Sequence, residues 1–257
     1  MIAMDSVDRA IRLEGTTEES WMGWPGLTRL PPIDADTLVP DGARAVVIAP
    51  HPDDEVLMVG GLLAQLARKG TPVRVIAVTD GTASHRGSLT WTPRRLKYAR
   101  PRESRAALRC LGIVEPPLRL KLDDGGLVRQ HMRLAERLCG LIDDRDVLFT
   151  TWRCDGHPDH EATARACVSA AQCQRARLVE VPVWAWNWAH PGDRRLPWRK
   201  AFRLSLDSDA KRRKRFAIQA YASQLRPDPS TGADPVLDAI MVQRAGRSFE
   251  VLFLSSD

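Results

Sequence analysis

The sequence predicts an α/β fold: a Rossmann-like, open, mostly parallel sheet with helices on both faces. Three observations predict it. Apolar runs of strand length recur at 45–49, 73–78, 118–122, 147–151 and 178–183, with helix-like spacing between them. The runs at 45–49 and 73–78 are almost unbroken, as strands buried on both faces are. Histidine and aspartate gather just after the strands, at His51, Asp80, Asp124 and 155–160, where open parallel sheets carry their ligand sites.

Residues 1–44 have no sustained periodicity and hold Trp21, Trp24, Pro25, Pro31, Pro32 and Pro40. They predict an N-terminal arm with one short helix, wrapped on the core and anchored by its tryptophans. Residues 45–257 are expected to form a single domain. Its first strand, 45–49, leads to a helix over 55–69 with Val56, Val59, Leu62, Leu63 and Leu66 on one face and Gly70 as its stop. Gly60-Gly61 inside that helix lacks the three-glycine phosphate fingerprint and points to close packing. Strand 73–78 is followed by a polar loop, 79–92, and a helix over 94–111 interrupted or kinked near Pro101. Then come strand 118–122, helix 129–142, strand 147–151, helix 159–175 and strand 178–183. A Trp-rich C-terminal extension follows, with Trp184, Trp186, Trp188 and Trp198, a strand at 201–206, a basic helix at 209–221, a Pro-rich stretch at 226–235 and a last strand at 249–254.

Composition narrows the function classes. With 44% apolar residues in 257, the chain can bury one large core. No apolar run reaches the length of a membrane span. Residues 1–14 lack the uninterrupted apolar core of a secretory signal, so the cytoplasm is the expected compartment. Five cysteines, an odd number without a paired framework, predict reduced thiols, with Cys110, Cys139 and Cys167 as core filler. The net charge of +6 comes with no nucleic-acid motif. A solvated, arginine-rich surface is the favoured reading, with a basic mouth for an anionic substrate next, and nucleic acid is not an expected partner. No feature of the sequence specifies an oligomer.

The chemistry lies in two clusters. His51-Pro52-Asp53-Asp54-Glu55 follows the first strand, and His157-Pro158-Asp159-His160 follows the fourth, about a hundred residues later. Alone, the first cluster is as readily a turn with an aspartate helix cap. Together they predict one catalytic metal site built from two strand ends. His51 and Asp54, three apart, aim at one point that His160 reaches from the next helix. Asp53 is expected to point elsewhere and act as general base on a water activated by the metal, then pass its proton to a leaving amine. His157 is expected to stabilise the oxyanion or the leaving group, oriented by Asp159. A rival ligand set is Cys154, His157 and His160. Zinc is the expected metal, although oxygen and nitrogen ligands accept other divalent ions.

At these residues the chain resembles the PIG-L/LmbE-like zinc-dependent N-acetylglucosaminyl deacetylases, whose signature is a strand followed by His-Pro-Asp-Asp-Glu and, later, His-Pro-Asp-His. Further pieces fall in order over roughly residues 44–225: Val78-Thr79-Asp80-Gly81, Arg100-Pro101-Arg102-Glu103 leading to Leu111-Gly112, Asp124-Gly125, and Lys214 through Ala217-Ile218 to Tyr221-Ala222-Ser223-Gln224. The resemblance implies His51, Asp54 and His160 as zinc ligands, Asp53 as base, His157 at the oxyanion with Asp159 behind it, and Arg100 and Asp124 as substrate-binding residues.

The expected function is that of a zinc-dependent hydrolase removing an N-acyl group, in the first instance N-acetyl, from an amino sugar of a small-molecule glycoconjugate. Two alternatives stand beside it: a zinc amidase acting on a non-sugar or thiol-conjugate amide, and a non-catalytic nucleotide- or nucleic-acid-binding α/β domain. Tryptophans of the extension either line an acceptor groove or pack the tail on the sheet.

Overall fold

A computed structural model describes residues 15–254. The first part of the predicted arm, residues 1–14, and residues 255–257 lie outside the described residues. The arm from residue 15 contributes α1 (Glu18–Met22), α2 (Pro25–Thr28), β1 (Pro32–Ile33) and α3 (Ala35–Leu38). Then follow β2 (Arg44–Ala49), α4 (Asp54–Lys69), β3 (Val73–Thr79), α5 (Pro93–Cys110), β4 (Leu118–Leu122) and α6 (Leu127–Cys139). Next come β5 (Asp146–Thr151), α7 (Pro158–Gln174), β6 (Arg177–Val181) and α8 (Ala185–Trp188). The chain ends with β7 (Ala201–Ser205), α9 (Ser208–Gln219), α10 (Ala222–Leu225), α11 (Ala239–Ala245) and β8 (Phe249–Leu254).

Among the described residues the strands form one eight-stranded sheet in the order β1-β7-β8-β6-β5-β2-β3-β4. Neighbours pair in parallel except around β8, which runs antiparallel to both β6 and β7. From β2 the chain moves outward to β3 and β4, then returns to the other side of β2 as β5 and continues to β6. That reversal opens a crevice at the carboxyl ends of β2 and β5, the usual ligand position in such sheets. Both faces of β2 are covered. Ala45, Val47 and Ala49 join the core beneath α4 and α9, while Val46 and Ile48 join the core beneath α6 and α7.

Helix α4 ends at Gly70, whose φ of 76° supplies the left-handed stop expected there. Within it, Val59 is non-helical (φ −135°, ψ 26°). The freed N–H groups of Gly61 and Leu62 donate to Glu250 at 2.7 and 3.0 Å, and the Leu57 carbonyl accepts from Lys214 Nζ at 3.2 Å. Lys214 and Glu250 themselves pair at 2.6 Å, so a buried ion pair satisfies the break. The glycine pair serves packing, since a Cβ on Gly61 would lie 2.4 Å from Leu206.

The helix expected to be interrupted or kinked near Pro101 is not interrupted: α5 runs through Pro101 as one segment. The proline cannot donate to the Lys97 carbonyl, and Arg119 Nη2 reaches that carbonyl instead at 3.4 Å. The arm also does more than wrap the core, because β1 extends the sheet by pairing with β7. The tryptophans divide. Trp21 meets Trp186 edge-on at 4.9 Å and Trp24 meets Trp198 at 4.8 Å, forming a third core between arm and extension.

Candidate metal centre

Strand β2 stops at Ala49 and the turn that follows delivers His51, Asp53 and the start of α4. The His51 N–H donates to Asp54 Oδ2 at 3.0 Å, which locks the turn against the helix. Asp54 Oδ2 also lies 3.2 Å from His51 Nδ1 and 3.4 Å from His160 Nε2. His160 comes from the first turn of α7, beyond β5. The three residues offer ligand atoms within 4.8 Å of one another, all buried or nearly so. The two sequence clusters therefore meet at one point.

Each imidazole is held from behind by carboxylates. His160 Nδ1 lies 2.7 Å from Asp155 Oδ2, and Asp155 is fixed by the N–H groups of Val183, Trp184 and Ala185 at 2.9–3.0 Å. His51 Nε2 faces Asp124 Oδ1 at 3.2 Å and Asp159 Oδ2 at 3.4 Å. Asp159 accepts the N–H groups of Gly125 and Leu127, and Asp124 accepts that of Ala83. Carboxylates so engaged hold the proton on the far ring nitrogen and turn the near one toward the shared point. Asp159 thus stands behind His51, whereas the sequence reading set it behind His157. Its contact with His157 is through the backbone: the Asp159 N–H donates to His157 Nδ1 at 3.2 Å.

Asp53 is strained, with φ at 136°. Its N–H donates to Glu55 Oε2 at 3.0 Å, and Arg100 Nη2 donates to its Oδ2 at 3.0 Å. Arg100 also donates to the carbonyls of Pro52 and Gly81. Arg100, which the resemblance implies as substrate-binding, thus holds Asp53 and also lines the cavity over the cluster. Gly81 permits this approach: it has φ 65°, and a Cβ there would sit 2.2 Å from Arg100 Nη1. Glu55 in turn takes hydrogen bonds from Ser104 Oγ and, at 2.9 Å, from Tyr221 OH.

The charges separate sharply. Burial raises the Asp53 pKa to about 7, with Arg100 opposing and Asp54 reinforcing. Burial also works against ionised Asp54, but His160 and His51 overcome it and hold that carboxyl well below its ordinary range. For His160, burial is outweighed by Asp54 and Asp155, which raise it to about 9. His51 is raised in the same way by Asp124, Asp159 and Asp54. Burial and the neighbouring His160 and His51 push His157 down to about 3, so it stays neutral.

A cavity of about 380 Å³ opens over this cluster. Its lining mixes polar residues (Ser84, Arg100, Asp124) with apolar ones (Leu57, Val183, Val236, Leu237, Met241). Trp184 lines it and stacks on His157 at 6.2 Å. Of the tryptophans of the extension, Trp184 reaches the cavity while Trp186 and Trp198 pack against the arm. Cys154 forms no compact ligand group with His157 and His160 among the described residues, and it packs beside the tryptophans instead. Asp155, Glu55 and Tyr221 were missed as site residues. Asp155 stands two residues before His157, a visible signal, but its partners on the 183–185 loop are not local.

Residues 46–171 match the model of the family described as PIG-L: GlcNAc-PI de-N-acetylase. A 1D-myo-inositol 2-acetamido-2-deoxy-alpha-D-glucopyranoside deacetylase of Mycobacterium sp. (strain KMS) is 31% identical over 171 residues, 56% of this chain and 54% of that protein. The chain thus spans about half the length of that curated relative. Among solved structures, the deacetylase of teicoplanin biosynthesis shares the fold with a TM-score of 0.64 at 22% identity, over 83% of this chain and 99% of that one. The A40926 pseudoaglycone deacetylase aligns with a TM-score of 0.59 at 25% identity, over 84% and 100%. With both signature clusters folded to one point, residues 46–171 of the chain are similar to the PIG-L family of de-N-acetylases.

Proposed function

We propose that the protein is a zinc-dependent hydrolase that removes an N-acyl group, in the first instance N-acetyl, from an amino sugar of a glycoconjugate. The observation that carries this reading is the convergence of His51, Asp54 and His160 beside the strained, buried carboxyl of Asp53. The donor set fits the cation. Ligand atoms bound tetrahedrally to zinc at about 2.0–2.1 Å lie roughly 3.3 Å apart, and here the two edges at Asp54 measure 3.2 and 3.4 Å. Two imidazoles and one carboxylate also leave a coordination position open.

When bound, the cation supplies a Lewis acid that polarises the amide carbonyl and acidifies water. The rest falls to the chain. Arg100 fixes one oxygen of Asp53 and leaves the other to take a proton from the attacking water. A pKa of about 7 suits Asp53 both to accept that proton and to return it to the leaving amine. His157 is neutral and accepts the Asp159 N–H at Nδ1, which places its own hydrogen on Nε2. That Nε2–H is the donor for the developing oxyanion. Asp159 and Asp124 orient His51, and Asp155 orients His160. Trp184 and the polar lining residues Ser84 and Asp124 offer a stacking surface and hydrogen-bond partners suited to a sugar ring. The name of the mycobacterial relative, a deacetylase of a 2-acetamido-2-deoxy-glucopyranoside, favours the same substrate class.

The test is a mass-spectrometric screen of N-acylated glycosides and of simple non-sugar amides, with and without a chelator. Loss of the acyl group from 2-acetamido sugars, abolished by chelation and restored by zinc, is expected. Turnover confined to non-sugar amides, or turnover indifferent to chelation, overturns the reading.

A further inference from the structure

Helices α6 and α7 are tied together at both ends. At the metal centre, the Asp159 carboxylate accepts the Gly125 and Leu127 N–H groups at the start of α6. At the far end, Cys139 closes α6 and Cys173 is the penultimate residue of α7. Their sulfurs lie 2.6 Å apart. Gln174 steadies the pair, its Nε2 donating to the Cys139 carbonyl at 2.7 Å and reaching Cys139 Sγ at 3.4 Å. Cys173 is exposed; of the three thiols expected as core filler, Cys167 is fully buried, whereas Cys139 and Cys110 are only half-buried. Neither member of the pair touches the proposed active site. The sequence suggested no pairing because the two lie 34 residues apart with nothing marking either.

We propose that Cys139 and Cys173 are a redox modification site: a low-molecular-weight disulfide oxidises them to a reversible clasp between α6 and α7. The exposed Cys173 thiolate attacks one sulfur of the small disulfide RSSR, forming a mixed disulfide and expelling one thiolate, which takes up a proton as RSH. The Cys139 thiolate then attacks the Cys173 sulfur, closes the Cys139–Cys173 bond and expels the second RSH. The two cysteines are oxidised by two electrons, RSSR is reduced by two, and both thiol protons leave on the two RSH molecules. The hydrogen bond shared with Cys139 holds the Cys173 thiol above its ordinary range, so the first step quickens as pH rises. The clasp closes a long loop in the unfolded chain and so favours the native state.

The experiment incubates the full chain with oxidised glutathione, blocks remaining thiols, and maps peptides without reduction. One cross-link between Cys139 and Cys173 is expected, with Cys110, Cys154 and Cys167 still available to the blocking reagent after denaturation. The Cys139→Ser variant is expected to retain glutathione on Cys173, and Cys173→Ser to form no cross-link. The oxidised wild type is expected to melt several degrees above the reduced form, a shift that both serine variants lack. Glutathione persisting on Cys173 of the wild type beside a free Cys139, or five unmodified thiols, overturns the proposal.

Discussion

The metal centre and the tryptophan core lie on the same sheet and are built in opposite ways. At the candidate metal centre the key side chains follow strand ends: His51 and Asp54 come shortly after β2, Asp124 shortly after β4, and His160 in the first turn of the helix that follows β5. The tryptophan core joins Trp21 to Trp186, with the Trp21 Nε1–H donating to the Trp186 carbonyl at 2.9 Å across 165 residues. The first region is polar, charged and held by hydrogen bonds; the second is apolar and held by contact area. Chemistry is therefore encoded in short motifs, and the rigidity around it in distant pairs that carry no motif.

The contrast breaks most sharply at Asp53. Asp53→Asn keeps the ligands of the metal centre and removes the proton acceptor. Turnover is expected to fall about 10²- to 10⁴-fold while elemental analysis still finds one metal per chain. Equal turnover removes Asp53 from its role. The Trp21→Ala variant attacks the other region. Trp21 is fully buried, and its loss is expected to cost about 3–5 kcal/mol of stability, read by denaturant unfolding. Zinc affinity of the folded fraction, by isothermal titration, should stay unchanged; a large drop would show the two regions to be one unit.

Legibility followed the same division. The parallel strands were readable because buried apolar runs such as 45–49 have no other home, and the helices between them carried their own stops, as at Gly70. The meeting of His51, Asp54 and His160 was readable because His and Asp at strand ends have few structural reasons to be there. Pro101 misled, since the carbonyl it leaves free finds Arg119 in a later strand. Asp159 misled for a related reason. Its sequence neighbour is His157, but the first turn of α7 rotates its carboxylate toward Gly125, Leu127 and His51. The short elements β1, α8, α10 and α11 escaped because tertiary contacts, not periodicity, decide them.

Asp155 sharpens the comparison, because it belongs to both regions. Its side chain orients His160, while its carbonyl accepts the Trp188 indole N–H at 2.7 Å. Asp155→Asn leaves the backbone contact and weakens the hold on His160. Zinc affinity is expected to fall about 10- to 100-fold with little change in melting temperature of the metal-free protein at pH 9. An unchanged affinity would mean that His160 needs no partner to keep its orientation.

The smallest expected effect concerns protons standing in for the metal. In chelator-stripped protein, Asp54 and Asp155 raise His160 against the opposing effect of burial, to about 9 from an ordinary 6.5. The folded state then holds a proton that the unfolded state releases. Stability from this group is complete below pH of about 6.5 and is lost as pH rises through about 9. His51, also raised, acts in the same direction. The depressed His157 acts in the opposite sense, but its window lies between about 3 and 6.5, below the range in question. A bound cation takes the place of those protons, because it needs both imidazoles neutral. Melting curves of stripped protein are therefore expected to fall between pH 6.5 and 9, while those of zinc-loaded protein over the same range stay flatter. Parallel curves in the two forms would mean that the proton and the metal do not compete for His51 and His160.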